Sequence, residues 1–168
     1  MGVDADLFKA ALGRFASGVT AITVHKDGED HGMTASAFCS LSIDPPLVLV
    51  CVKKGNRTHA LLGDAGAYAI NLLSASQVSV SNRFAGWWDE EKSKWADLDI
   101  TRGDVSGAVL IGGSLASLDC TLHSVLDGGD HSIFVGEVQQ AILDGEDREA
   151  LEPLLYFAGS YRTVGPKP

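Results

Sequence analysis

Between His31 and Pro46 the chain reads HGMTASAFCSLSIDPP, with hydroxyls at Thr34, Ser36, Ser40 and Ser42 and no charged side chain from Gly32 to Ile43. A strand with one wet face normally recruits Lys, Glu or Arg, because long charged side chains solvate cheaply and discourage edge pairing. Small hydroxyls instead permit close approach to the backbone and offer donors and acceptors without bulk. Such a face suits a flat, polar-edged aromatic ligand. A Ser/Thr-rich strand packed beneath a loop or against a subunit is the plainer alternative.

A second group is Lys53-Lys54-Gly55-Asn56-Arg57-Thr58, three cations within five residues in a chain whose formal net charge is −9. Placed before a helix, these cations, a Thr or Asn side chain and the free amides of the first turn make a phosphate seat. A solvated basic turn with an ordinary N-cap has the same composition. Asn82-Arg83-Phe84-Ala85-Gly86 offers another cation and an aromatic wall, or only a helix end. His131 follows the turn Gly128-Gly129-Asp130 and could aim its ring into a pocket mouth, although a turn histidine is more often simply exposed.

Other chemistries lack their residues. There is no GxSxG elbow, and the five histidines show neither HxH nor HExxH spacing, so a serine hydrolase or a zinc enzyme has no support. Neither GxGxxG nor GxxxxGK[ST] occurs, so a dinucleotide would not be held by a Rossmann loop. Cys39, Cys51 and Cys120 are widely spaced without a CxxC, which fits free thiols in a reducing compartment.

The elements that must position these residues are legible in outline. Asp4 or Asp6 can cap a helix carrying Leu7, Ala11, Leu12 and Phe15, with Gly18 placed to end it. The β-branched run Val19 to His25 and the turn KDGED predict a hairpin into the hydroxyl-bearing strand, which Asp44-Pro45-Pro46 stops. LVLVCV then begins a third strand whose unbroken apolarity predicts burial on both faces. A short helix over Thr58 to Leu62, a strand from Ala67 to Leu73 and a helix from Ser74 or Ser76 toward Phe84 follow. Trp87, Trp88 and Trp95 alternate with charge, which suggests a short helix or lid on the surface. From Ala108 to Ile142 the pattern is strand, long strand and strand, turned at Gly112-Gly113 and Asp127 to Asp130, and PLLYFAGSYRTV closes with a strand-like SYRTV.

Strands outnumber helices and join by short turns, so the fold class is mainly β, an antiparallel barrel with peripheral helices. At 168 residues and 45% apolar content, residues 1–168 are expected to form one domain. The acidic balance argues against nucleic acid or an anionic membrane as partner. No signal peptide is visible, and the longest apolar run, Leu47 to Val52, has six residues, so a cytoplasmic location is expected.

Taken together, FASGVTAITV, HGMTASAFCSLSIDPPLVLVCV, AYAINLL with SASQ and FAG, GDHSIFVGEV and the closing Tyr161-Arg162 resemble the flavin reductase family, the reductase components of two-component flavin monooxygenases. The resemblance spans nearly the whole chain in order, and Gly32 to Val52 is its most specific part. It implies the antiparallel FMN-binding split barrel, a homodimer with flavin near the subunit interface, and hydride transfer from NADH or NADPH to FMN or FAD. On that reading Met33, Thr34, Ala35, Ser36 and Ser40 line the isoalloxazine edge, and Cys51, Val52 and Lys53 border the ribityl chain. Asn56 and Thr58 hold the phosphate, and Arg83 and Phe84 lie near the outer part of the flavin. His131, with Tyr161 and Arg162, belongs to the nicotinamide nucleotide, and no metal or protein nucleophile is required. Reduced flavin would pass to a separate oxygenase. A flavin-binding protein without free-flavin reductase activity is the alternative. Asn56 stands where many relatives carry Ser, and the resemblance leaves the tryptophan segment open, either as a cap on the adenine side of FAD or as packing on a dimer partner.

Overall fold

The computed structural model describes residues 2–87, 93–143 and 152–165. Helix α1 (Ala5–Leu12) is capped by the Asp4 carboxylate, which accepts from the amides of Asp6 and Leu7 at 3.0 Å. It ends at Gly13, short of the Gly18 expected to stop it, because Ser17–Gly18 form strand β1 and pair with β11 (Leu155–Phe157). Strands β2 (Thr20–Lys26) and β3 (Glu29–Ala35) make the expected hairpin, with Asp27 and Gly28 at positive φ in its turn.

The hydroxyl-bearing stretch is two strands, which corrects the expectation of one. β3 stops at Ala35, Ser36 and Ala37 lie outside any strand, and β4 (Phe38–Ser42) then pairs with β5 (Leu47–Lys53). With β6 (Ala67–Leu72), β9 (Ala116–Gly128) and β10 (His131–Leu143), these strands form a seven-stranded antiparallel sheet in the order β3-β2-β6-β9-β10-β5-β4. The two edge strands are therefore consecutive in the chain, and the Ser36–Ala37 link requires the sheet to curl so that the end of β3 lies near the start of β4. Inside the curl Ile22, Val50, Val52, Tyr68, Ile70 and Phe134 form the main core.

β5 corrects a second expectation. Val48, Val50 and Val52 are buried while Leu47, Leu49 and Cys51 are only half-buried, the alternation of a sheet with one face on a core. Helix α2 (Arg57–Ala65) packs on β2 and β5, and α3 (Val78–Phe84) lies against β3 after a 3-10 turn (Ala75–Gln77) closed by a Ser74–Gln77 capping box. A second core under α3 joins Phe84, Leu154 and Val80 to Val109 and Ile111 of β8 (Val109–Ile111). β7 (Ile100–Arg102), which the sequence pattern does not reveal, pairs with β8, and β12 (Ser160–Arg162) completes the small sheet β1-β11-β12. Trp95 packs on Phe84 with ring centroids 4.9 Å apart, whereas Trp87 is 76% exposed; Trp88 lies outside the described residues. Among the described residues no helix is long and apolar enough to cross a membrane.

Candidate functional site

Alternation along β3 turns Met33 and Ala35 into the main core and leaves Gly32 and Thr34 on the side of α3. The Thr34 hydroxyl donates to the Ser81 carbonyl at 2.6 Å, so its oxygen is left as an acceptor. Ser36 hydrogen-bonds to no described residue and sits at the mouth of a cleft of about 480 Å³. Thr34 and Ser36 form one wall of that cleft, and Ala85, Trp87, Tyr156 and Tyr161 form the other. Tyr161 is held by Ser81 Oγ at 2.8 Å and Asn82 Oδ1 at 2.9 Å, and Tyr156, its cross-strand partner, meets it edge-on at 5.7 Å. Arg162 is exposed on the same hairpin, its guanidinium donating to the Tyr161 carbonyl.

Farther along the same face of β3 a second cleft of about 360 Å³ opens between His31, Gly32 and Trp95 on one side and Arg57 and Thr58 of α2 on the other. Asn56 occupies the N-cap of α2 but its side chain makes no capping bond; the His59 amide donates to the Asn56 carbonyl at 3.1 Å, while the Arg57 and Thr58 amides have no such partner among the described residues. Thr58 is only 8% exposed, and its hydroxyl, which has no hydrogen-bond partner among the described residues, is not enclosed but lines the cleft, where a ligand can reach it. Gly32 is required by close approach: a Cβ there would lie 2.9 Å from the Phe84 ring and 3.2 Å from Trp95.

The third part lies at one end of β5 and β10, where antiparallel pairing sets His131 opposite Lys53 and Ile133 opposite Cys51. The Asp130 carboxylate engages His131 Nδ1 at 2.7 Å, leaving Nε2 as the atom turned to a ligand, and that contact holds the Asp130 carboxyl below its usual range. Lys54 pairs with Asp127 and donates to the Gly129 carbonyl at 2.6 Å, which ties the β9–β10 turn to the start of α2 and lowers the Asp127 carboxyl in the same way. His59 Nε2 meets Ser132 Oγ at 2.8 Å, a further link between α2 and β10.

Residues 12–165 match the flavin reductase like domain family. The chain belongs to the flavin reductase family. It is 41% identical over 159 residues to the reductase component of 4-hydroxyphenylacetate 3-monooxygenase from Thermus thermophilus, covering 95% of this chain and 96% of that one. It is 37% identical to the flavin-dependent monooxygenase reductase subunit HsaB of Rhodococcus jostii, over 98% of this chain and 80% of the relative. Among solved structures, the Streptomyces globisporus NADH:FAD oxidoreductase SgcE6, in complex with NAD and FAD fragments, superposes with a TM-score of 0.87 at 37% identity, covering 99% of this chain and 98% of that one.

The site of this flavin reductase family member fits a flavin on its own observations. An aromatic-walled cleft at Thr34 and Ser36 and a second, polar cleft at Gly32 lie along β3, and the second is bordered by a helix N-terminus whose N-cap side chain makes no capping bond and by the unpaired Thr58 hydroxyl. Thr34, Ser36 and Tyr161 are brought together, and Lys53, Asn56, Thr58 and His131 gather around the start of α2. Others are placed differently. Met33, Ala35 and Val52 point into the core, so any contact they make is through the backbone. Ser40 is exposed on edge strand β4, on the other side of the Ser36–Ala37 break from Thr34. Arg83 is buried and donates to the carbonyls of Ala96 at 2.7 Å and Lys94 at 3.3 Å, and Phe84 is packed in the second core. Sequence reasoning gave no role to Tyr156, Asn82 and Asp130. Tyr156 was detectable as the cross-strand partner of Tyr161 in the hairpin YFAGSYR, while the Asn82 contact depends on the distant packing of α3.

Proposed function

We propose that this chain is an NAD(P)H:flavin oxidoreductase that reduces FMN or FAD and supplies reduced flavin to a separate monooxygenase. The observation that carries the reading is the pair of clefts along β3, one aromatic-walled at Thr34 and Ser36 and the other lined by Gly32, Trp95 and the unpaired Thr58 hydroxyl at the start of α2. Flavin supplies the two-electron acceptor for hydride from the nicotinamide ring. The protein's part is orientation and charge stabilisation. Backbone amides of the unladdered Ser36–Ala37 link and the free Ser36 hydroxyl face the polar ring edge, where they stabilise developing negative charge. Lys53 adds positive charge beside it, and His131, oriented through Nδ1 by Asp130, presents Nε2 to the nicotinamide nucleotide. Accessibility of both clefts suits release of the reduced product.

The test is anaerobic turnover with a two-by-two matrix of NADH or NADPH against FMN or FAD, followed at the nicotinamide absorbance band. Loss of that band supports the reading, and no turnover in any of the four mixtures sinks it. At residue level, Thr58→Val is expected to weaken flavin binding by roughly 1 to 2 kcal/mol, measured by flavin fluorescence titration, because the methyl cannot replace the hydroxyl toward phosphate. An unchanged affinity would move the phosphate seat elsewhere. His131→Ala is expected to raise KM for the nicotinamide about tenfold while flavin affinity stays nearly constant. Equal losses for both ligands would remove His131 from the nucleotide site.

We further propose that residues 1–168 act as one split-barrel domain that functions as a homodimer in the cytoplasm. Supporting the dimer, α1 buries none of its residues although Leu7, Phe8 and Leu12 lie along it, and Leu47, Leu49 and Cys51 of β5 are only half-covered. Ile43, 95% exposed beside the Asp44-Pro45-Pro46 turn, adds to that apolar surface. Light scattering on the purified protein measures the mass directly, and a monomer at micromolar concentration would exclude the assembly.

A further inference from the structure

We propose that His59 is a positioning residue that couples the two ends of the site: through its bond to Ser132 it ties the start of β10, and with it His131, to the first turn of α2. Ordering of that turn by a bound flavin nucleotide then also orders the strand end that meets the nicotinamide nucleotide. The inference rests on the flavin reductase reading above.

β10 opens at His131 directly after Gly128-Gly129-Asp130, with Gly129 at a φ of 81°. A strand end beside a diglycine turn brings few side-chain contacts of its own and opens readily unless it is tied down. Two ties flank His131, and both come from the stretch Lys54 to His59. Before it, the Lys54 amide donates to the Asp130 carbonyl at 2.9 Å and Lys54 Nζ donates to the Gly129 carbonyl at 2.6 Å. After it, the hydroxyl of Ser132, a residue only 6% exposed, meets His59 Nε2 at 2.8 Å. Lys54 Nζ makes its bonds at an exposed site where water competes, whereas the Ser132 hydroxyl is shielded. Alternation along β10 puts Ser132 on the side of Phe134 and the core and His131 on the other. His59 therefore grips the strand on its core side, at the residue next to the one that presents an imidazole outside. The His59 ring has little freedom, because it meets the Phe134 ring edge-on with centroids 5.2 Å apart. Its amide donates to the Asn56 carbonyl at 3.1 Å, in the same turn whose Arg57 and Thr58 line the polar cleft. One residue thus joins the turn that faces an anion to the strand end that carries His131, and a coupling of this kind acts in both directions.

The experiment is amide hydrogen exchange read by mass spectrometry on the peptide spanning residues 128–134, in the flavin-free protein and at saturating FMN or FAD. It compares the wild type with His59→Leu, His59→Gln and Ser132→Ala. Leucine keeps an apolar contact with Phe134 and removes the hydrogen bond, while glutamine restores a donor and an acceptor. In the flavin-free protein His59→Leu and Ser132→Ala are each expected to speed exchange over this peptide about tenfold. Bound flavin should slow that exchange in the wild type and leave it unchanged in both variants. KM for the nicotinamide is expected to rise about fivefold in each, with kcat and flavin affinity within about twofold of the wild type. His59→Gln should recover at least half of every change, and His59→Leu combined with Ser132→Ala should do no more than either alone. Unchanged exchange over 128–134, slowing by bound flavin in His59→Leu as in the wild type, or losses that add in the double variant overturn the proposal and leave the reductase reading intact. A wild type that oxidises neither nicotinamide with either flavin overturns the reductase reading itself.

Discussion

Asn71→Ala is expected to lower stability by roughly 3 to 5 kcal/mol, seen as a fall in the denaturant midpoint at an unchanged slope. Asn71 is fully buried, and its carboxamide makes four hydrogen bonds. Nδ2 donates to the carbonyls of Ala21 at 3.2 Å and Val109 at 3.3 Å. Oδ1 accepts from the Ile111 amide and the Ser117 hydroxyl, each at 2.8 Å. Alanine leaves these groups unpaired in a site closed to solvent, so each keeps its desolvation cost without its partner. Among the described residues, the Thr23 hydroxyl, donating to the Val109 carbonyl at 2.6 Å, is the remaining side-chain tie from β2 to this part of β8. Because β8 supplies Val109 and Ile111 to the core beneath α3, loosening it also frees the surface that holds Ser81 and Asn82 on Tyr161. Flavin affinity should therefore fall together with stability. A variant that loses less than about 1 kcal/mol would show that the carboxamide network is not what fixes β8.

That network also marks the limit of what the chain's pattern reveals. The β2–β3 hairpin, the capped 3-10 turn before α3 and the long β9–β10 pair follow from β-branched runs, a Ser-x-x-Gln box and a Gly-Gly turn, all of them local signals. The chemistry-bearing block from Gly32 to Lys53 was legible for a similar reason, since an absence of charge over the twelve residues from Gly32 to Ile43 is visible without knowing any contact. What the pattern misplaced depends on partners far along the chain. Period-two spacing groups Ser40 with Thr34 on one strand, but β3 ends at Ala35 and β4 pairs with β5 at the other end of the strand order. Arg83 was read as a ligand cation, yet its guanidinium reaches carbonyls 11 and 13 residues away. β5 looked doubly buried because hydrophobicity does not say whether a second face meets a helix, a subunit or water. Thr58 needed both kinds of information: its position at the start of a helix suggested an anion, and only its unpaired hydroxyl lining a cleft gives that suggestion physical weight.

Gly136→Ala is the second large effect expected, about 3 kcal/mol of destabilisation. A Cβ at this position in β10 would meet the Tyr68 hydroxyl, lie 2.9 Å from its Cζ and approach the Cβ of Cys120 within 3.2 Å. Tyr68 is fully buried and cannot swing away, and Cys120 beside it is buried deeply enough that its thiol pKa is pushed up to about 12, first by desolvation and then by Asp119. The Tyr68 hydroxyl has no hydrogen-bond partner among the described residues, so Tyr68→Phe alone should be neutral or slightly stabilising. The two changes touch the same few atoms, so they are expected to couple: removing the hydroxyl in the Gly136→Ala background should restore at least half of the lost stability. A functional readout follows from the register. Gly136 pairs with Val48 on the ladder that sets His131 opposite Lys53, and β10 already carries an irregularity between Val135 and Gly136. Forcing β10 outward at this point should separate His131 from Lys53 and raise KM for the nicotinamide, and Tyr68→Phe should bring it back. If the double variant regains its melting temperature but not its KM, the ladder does not transmit the core strain to the nucleotide end, and His131 is positioned by the Asp127–Asp130 turn alone.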